Sequence, residues 1–182
     1  MGGSGTQLVN GFLEQDYNSD LAGITGLQKY EKMRKSDAQI NAILLAMELP
    51  IRSTEWYIEP AKDDEGLVTE EYQAHADFMS RALFEKMEQT WDDTLREILT
   101  QLPFGFSLFE KVFTADEENV WLRKLAFRKQ ATIGRWETED GQAGVTQYLS
   151  TPIVGGENDG RTIVSIPANK LLIFSFRREG DN

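Results

Sequence analysis

The chain has 182 residues, 40 % of them hydrophobic, and its 30 acidic side chains outnumber 19 basic ones for a formal net charge of −11. That apolar content excludes wholesale disorder, and the absence of cysteine excludes disulfide scaffolds, thiolate metal sites and a cysteine nucleophile. The acidic surplus argues against a protein that grips nucleic acid by bulk charge, because phosphate neutralisation supplies most such affinity.

In chain order, residues 1–24 are rich in glycine and poor in periodic apolar positions. They are expected to form a flexible arm ahead of a folded domain over residues 25–182. Met1–Gly5 lacks the basic and apolar regions of a signal peptide. A first helix is predicted over Leu27–Lys35. A second starts at Ser36, where Ser36 and Gln39 have capping-box spacing. Ile40, Ile43, Leu44 and Met47 form its apolar stripe, and Pro50 stops or kinks it. The stretch Ile40–Ile51 is the longest apolar run, but Asn41, Glu48 and Pro50 interrupt it well short of the roughly 18–20 residues that span a bilayer. Trp56 and Ile58 alternate with Tyr57 and Glu59, which predicts a short strand Glu55–Glu59 closed by Pro60. A third helix runs from Thr69 to Met87 with Tyr72, Ala76, Met79 and Leu83 inward. A fourth starts at Thr90 with Trp91, Leu95, Ile98 and Leu102 inward, Asp93 near its positive end, and Pro103 at its close.

After Pro103 the period changes from helical to alternating. Phe106–Thr114 is predicted as a strand with apolar residues on both faces, paired with Val120–Arg128 across a turn at Ala115–Asn119. Ile133–Thr138 joins Val145–Ser150 through Glu139-Asp140-Gly141-Gln142. Ile153–Thr162 is a glycine-rich turn, followed by strands Ile163–Ile166 and Lys170–Phe176. Helices first and strands afterwards give an α+β class, N-terminal helices packed on an antiparallel β meander. Trp56, Trp91, Phe106 and Ile173 fall at apolar-phase positions and are expected to be largely buried, joining helices to sheet.

No residue pattern supports catalysis. His75 is the only histidine, has no second histidine or cysteine nearby, and reads as an ordinary helix residue. The acidic pairs Asp63–Asp64, Glu70–Glu71, Asp92–Asp93 and Glu117–Glu118 are adjacent in sequence, so their side chains diverge and read as solvated faces. Gly155–Gly160 lacks the Lys-Ser or Lys-Thr of a phosphate loop and the spacing of a calcium loop. No enzyme, cofactor or metal site is expected. The one cluster that bears on binding is basic. Arg123, Lys124, Arg128, Lys129 and Arg135 lie on successive strands, interleaved with Trp121, Phe127 and Trp136, and Arg177 and Arg178 follow later. Basic and aromatic residues together make a DNA-facing or interface surface. The simpler reading is a sheet with one basic exposed face.

Five segments resemble one family in order and spacing: Tyr30–Ile40 (YEKMRKSDAQI), Leu49–Pro60 (LPIRSTEWYIEP), Phe104–Val112 (FGFSLFEKV), Phe127–Trp136 (FRKQATIGRW) and Pro167–Asn182 (PANKLLIFSFRREGDN). Together they are similar to the Mu-type portal proteins of tailed bacteriophages, and they are spread through most of the length of residues 27–182. The resemblance implies a structural subunit of a homo-oligomeric ring, commonly a dodecamer, at one capsid vertex. Double-stranded DNA would pass through it without sequence-specific binding, during packaging and ejection. Terminase, capsid and head–tail connector proteins would be the partners, with no membrane involved. The location would be the virion, and the host cytoplasm during assembly. By this resemblance the chain would correspond to the family's wing portion and would stop before the stem, clip and crown. A second reading from a different class is a small acidic protein- or peptide-binding module that uses an exposed sheet edge.

Overall fold

The computed structural model describes residues 8–9, 12–13, 21, 23–137, 143–150 and 161–177. Arg161 and Thr162, expected in the turn at 153–162, are strand rather than turn. The rest of that turn as far as residue 160, the expected turn at 139–142, and the end of the chain from Arg178 lie outside the described residues. So does most of the expected arm, although Leu8–Val9 (β1) and Phe12–Leu13 (β2) pair antiparallel.

Five helices follow. Gly23–Ser36 (α1) and Ala38–Arg52 (α2) meet at a single residue, Asp37, whose backbone is extended. Ser36 therefore ends α1, its Oγ donating to the Lys32 carbonyl at 2.7 Å, and the cap of α2 is Asp37. Asp37 Oδ1 accepts from the N–H groups of Gln39 and Ile40 at 2.9 and 3.0 Å, which satisfies two otherwise unpaired donors. Pro50 sits inside α2, which ends two residues later. Glu70–Phe84 (α3) starts close to the expected Thr69, which is its cap, and closes before Met87. Trp91–Ile98 (α4) is capped by Thr90, whose Oγ1 accepts from Asp93 N–H and donates to the Asp93 carboxylate. The chain breaks at Leu99–Thr100 and makes one more turn, Gln101–Phe104 (α5). Pro103 lies within that turn, early enough that its missing N–H costs little. Gly105 ends it at φ 80°, a left-handed conformation that favours glycine.

Six strands complete the fold: Phe106–Ala115 (β3), Val120–Arg128 (β4), Ile133–Glu137 (β5), Gly144–Ser150 (β6), Arg161–Pro167 (β7) and Leu171–Ser175 (β8). The class is α+β. The strands form two antiparallel three-stranded sheets, β4-β3-β8 and β5-β6-β7. Only the second is a simple meander. In the first, β8 returns to pair with β3 (Leu108 opposite Ile173), a long-range closure that local patterning does not encode. The expected strand Glu55–Glu59 is irregular extended chain, for alternation alone cannot supply a neighbour to pair with.

The layers run helices, first sheet, second sheet. Alternation along β3 sends Leu108 one way and Phe109 the other. Leu108 packs with Ile133, Val145, Ile166 and Leu171 between the sheets. Phe109 packs with Ile98 and Leu125 under the helices, flanked by Trp91, Leu122, Phe127, Leu172 and Phe174. The buried Ser107 and Gln130 are paired, whereas Trp91 Nε1 and Arg128 Nε are buried without a partner among the described residues. Ser107 Oγ donates to the Ile98 carbonyl at 2.9 Å. Gln130 Nε2, on a 3-10 turn after β4, donates to Thr100 Oγ1 and the Phe106 carbonyl, both at 2.9 Å.

Two of the four expected core aromatics and aliphatics are misplaced. Trp91 and Phe106 are half-buried, whereas Trp56 and Ile173 are each 45 % exposed. Trp56 lies beyond α2, touches Trp91 edge-on at 5.9 Å, and donates its Nε1–H to the Ile51 carbonyl. Ile173 shares a face with Leu171 on edge strand β8 but is not covered as Leu171 is. The α2 stripe is likewise split: Ile40 and Leu44 are half-buried, and Ile43 and Met47 point outward.

Ion pairs hold the helices in place. Arg52 makes a two-point contact with Asp92, Nε to Oδ1 at 3.0 Å and Nη2 to Oδ2 at 2.6 Å, tying the end of α2 to the start of α4. Within α1, Glu31 accepts from Arg34 and Lys35 at 2.6 Å each. The Arg34 hydrogen bond, more than the Lys35 contact, outweighs partial desolvation and holds the Glu31 carboxyl down to about 2.

Two measurements check this account. Phe109→Ala should destabilise the protein by about 3–5 kcal/mol in chemical denaturation, while Met47→Ala on the outer face of α2 should stay within about 0.5 kcal/mol. Because the folded-state pKa of Glu31 is depressed, its contribution is fully present above the ordinary carboxylate range and is lost as pH falls towards 2. Glu31→Gln should therefore be less stable than the parent at neutral pH, with the difference closing in acid. A difference that stays constant with pH would rule out the ion pair as its source.

Candidate nucleic-acid interface

The basic cluster is built on β4 and its continuation, and the structure divides its five residues among three places. Arg123 is the extra residue of a β-bulge: Val112 pairs with Lys124 and Phe113 with Leu122, leaving Arg123 unpaired in the ladder. The bulge is anchored from the loop between α3 and α4. Glu88 N–H donates to the Arg123 carbonyl at 2.8 Å, and the Glu88 carboxylate takes the Arg123 guanidinium at 2.5 Å and Lys124 at 3.4 Å. The Arg123 hydrogen bond, opposed by desolvation and assisted by Lys124, holds the Glu88 carboxyl below its ordinary range.

Arg128 lies elsewhere. Its Nη2 pairs with Glu110 of the adjacent strand, in a cleft between the two sheets that Gln147 and Lys170 also line. Lys129 and Arg135 are exposed, and neither has an acidic partner among the described residues. Arg135 is on β5, where Gly134 is the residue left out of the ladder. A Cβ at Gly134 would come within 2.4 Å of the Tyr148 ring. Of the interleaved aromatics, Trp121 is buried and Phe127 half-buried, whereas Trp136 is exposed and meets Phe106 edge-on at 5.5 Å. Trp121 stacks on Phe78 at 4.7 Å, with Arg81 and Lys86 over its ring and its Nε1–H donated to Asp116. These contacts lock α3 onto the hairpin and withdraw Trp121 from any base.

The residues that sequence reasoning missed are the acids, Glu88 and Glu110. Hairpin register brings Glu110 diagonally next to Arg128, since Glu110 pairs with Ala126. No local signal brings Glu88 to Arg123, 35 residues away. His75 is exposed on α3. Asp92 pairs with Arg52, and Asp93 with Arg96 at 2.9 Å. Among the described residues no three His, Asp or Glu side chains form a group that would hold a metal ion, and no helix is long and apolar enough to cross a membrane.

Compared with known proteins, the chain matches the model of one family, described as the portal protein of Mu bacteriophage, over residues 27–182. No curated protein matches it.

The pairing of Arg123 and Lys124 with Glu88 yields a test. Duplex DNA, followed by fluorescence anisotropy, should bind the parent no more tightly than the non-specific range of about 10⁻⁴–10⁻⁶ M. Glu88→Gln frees two cations and should bind more tightly, with the salt slope steeper by up to about 1.8 if both reach phosphate. Mild acid should not mimic the variant, because the depressed Glu88 carboxyl stays charged until pH falls below its ordinary range. An unchanged titration would place Arg123 and Lys124 off any DNA path.

Proposed function

Because the chain belongs to the Mu bacteriophage portal protein family, a family of structural proteins, we propose that it serves as a subunit of the portal ring through which the genome enters and leaves the capsid. The observation that carries this reading is the family match itself. It runs over residues 27–182 and so takes in α2 to α5 and both three-stranded sheets, rather than one local motif.

The physical chemistry supports a passive role. A conduit for duplex DNA must not hold it, and each neutralised phosphate adds affinity that sliding would have to break. With a net charge of −11, and with Arg123, Lys124 and Arg128 already paired to Glu88 and Glu110, the basic cluster keeps only Lys129 and Arg135 without an acidic partner among the described residues. Screening over about 8 Å at physiological ionic strength leaves only close contacts able to act, and Lys129 and Arg135 are the side chains of the cluster available for them. In this reading identical subunits close into a ring through heterologous contacts. The ring sits at one vertex of the virion, forms in the host cytoplasm, and docks terminase, capsid and head–tail connector proteins. It performs no chemistry of its own.

The experiment is localisation. Virions assembled with the chain labelled should carry label at a single capsid vertex. Label spread over the shell, or absent from particles, would overturn the portal reading. It would return attention to the alternative of a peptide-binding module, for which edge strands β4, β5, β7 and β8 are the open ladders.

A further inference from the structure

The two sheets are not sealed against each other along their whole length. Val145 and Ile166 stand opposite each other on β6 and β7 and are buried between the sheets, at 0 % and 4 % exposed. Further along the same face, Leu149 and Val164 are 38 % and 37 % exposed, although alternation turns them the same way as the buried pair. At this point the first sheet presents the Glu110–Arg128 ion pair, and a cleft of about 290 Å³ opens between the sheets.

The cleft is short of an anion. Its wall holds two cations, Arg128 and Lys170, against one acid, Glu110, in a chain whose net charge is −11. Lys170 has no acidic partner among the described residues. Arg128 gives Nη2 to Glu110, and its Nε is buried with no partner at all among the described residues. Buried donors in folded proteins are nearly always hydrogen-bonded, so this one calls for an acceptor. Gln147, 7 % exposed, also lines the cleft and is fixed there by donating Nε2 to Thr132 Oγ1 at 3.0 Å. Beside the charges stand the uncovered Leu149 and Val164, so a fitting ligand is apolar at one point and anionic at another.

Four consecutive residues of β7, Val164–Pro167, line the cleft, and β7 is the edge of its sheet. An edge strand has unpaired backbone N–H and C=O groups along its length, which suits an extended chain better than a free small acid. In a strand laid on that edge, side chains two residues apart turn the same way.

We propose that the cleft between the sheets binds an extended acidic segment of another protein, added to the edge of β7 with an apolar and an acidic residue two apart. The apolar side chain covers Leu149 and Val164. The carboxylate pairs with Lys170 and with the Arg128 donor that Glu110 leaves unused. Membership of a ring is not required for this binding, so a failed vertex label in virions would leave it standing.

The probe is the peptide Gly-Ser-Leu-Ser-Glu-Ser-Gly, acetylated and amidated so that it carries no terminal charge, titrated into the full chain by calorimetry. Saturable binding is expected. Replacing the peptide's glutamate by glutamine should weaken it about tenfold, the loss of one charge-assisted hydrogen bond. Moving the leucine next to the glutamate should also weaken it, because the two side chains then point to opposite faces. Lys170→Ala should act like the glutamine peptide, and Lys129→Ala, outside the cleft, should change nothing. Both lysines are exposed, and unchanged denaturation midpoints check that the variants fold. No binding, or equal affinity of the parent and Lys170→Ala, would overturn the site. Hexanoate binding as tightly as the peptide, or indifference to the spacing of leucine and glutamate, would overturn the added strand and leave a pocket for free acids.

Discussion

The strand β3 is shared by two cores, and that constraint governs the rest of the molecule. Leu108 and Phe109 are consecutive, fully buried, and face opposite ways. For this to be possible a sheet must cover one side and helices the other, and both must be seated against the same backbone. The buried hydrogen bonds sit at that junction: Ser107 to the last carbonyl of α4, and Gln130 to Thr100 and Phe106. They fix the corner where helix becomes strand. Burying two large side chains there gains several kcal/mol that neither layer would retain if the other were displaced.

The electrostatics show a similar economy. The acidic surplus is not a uniform coat. Glu31, Glu88, Asp92 and Glu110 each meet a cation, and two of these pairs join elements distant in sequence: α2 to α4, the α3–α4 loop to β4. Pairs as exposed as these contribute at most about 1 kcal/mol apiece. Their larger effect is on what the surface offers to others. Cations already occupied at home weaken attraction for a polyanion, and the remaining acids repel it.

Much of the architecture could be read from the residues, and the failures are instructive. The change from helical to alternating period after Pro103, the two-faced pattern of β3 and the helix starts near Thr69 and Thr90 are local signals, and each element forms where its signal lies. What could not be read is what depends on partners. Nothing near Leu171 says that β8 will return to β3 instead of extending the meander. Ile173 has the phase of a core residue and lacks only a neighbour. Trp56 and the outer half of the α2 stripe are apolar, which predicts burial, but no element of the described fold covers them. The candidate site shows the same divide. The five cations were visible as a cluster by type and spacing, but their acidic partners come from 18 and 35 residues away and decide which of them stay unpaired.

The bulge at Arg123 has a further consequence, for insertions and deletions. Odd-numbered Leu125 and Phe127 and even-numbered Val120 and Leu122 all serve the helix side of the sheet, because the bulge absorbs one residue between them. Elsewhere in a strand, loss of a single residue exchanges inside for outside over everything beyond it. Removing residue 123 would instead join the two halves of β4 into a regular ladder with their facings kept. What would disappear is the tether to Glu88. Position 123 is therefore where the length of this strand can vary between related chains without inverting the sheet, and where such variation would loosen the α3–α4 loop rather than the core.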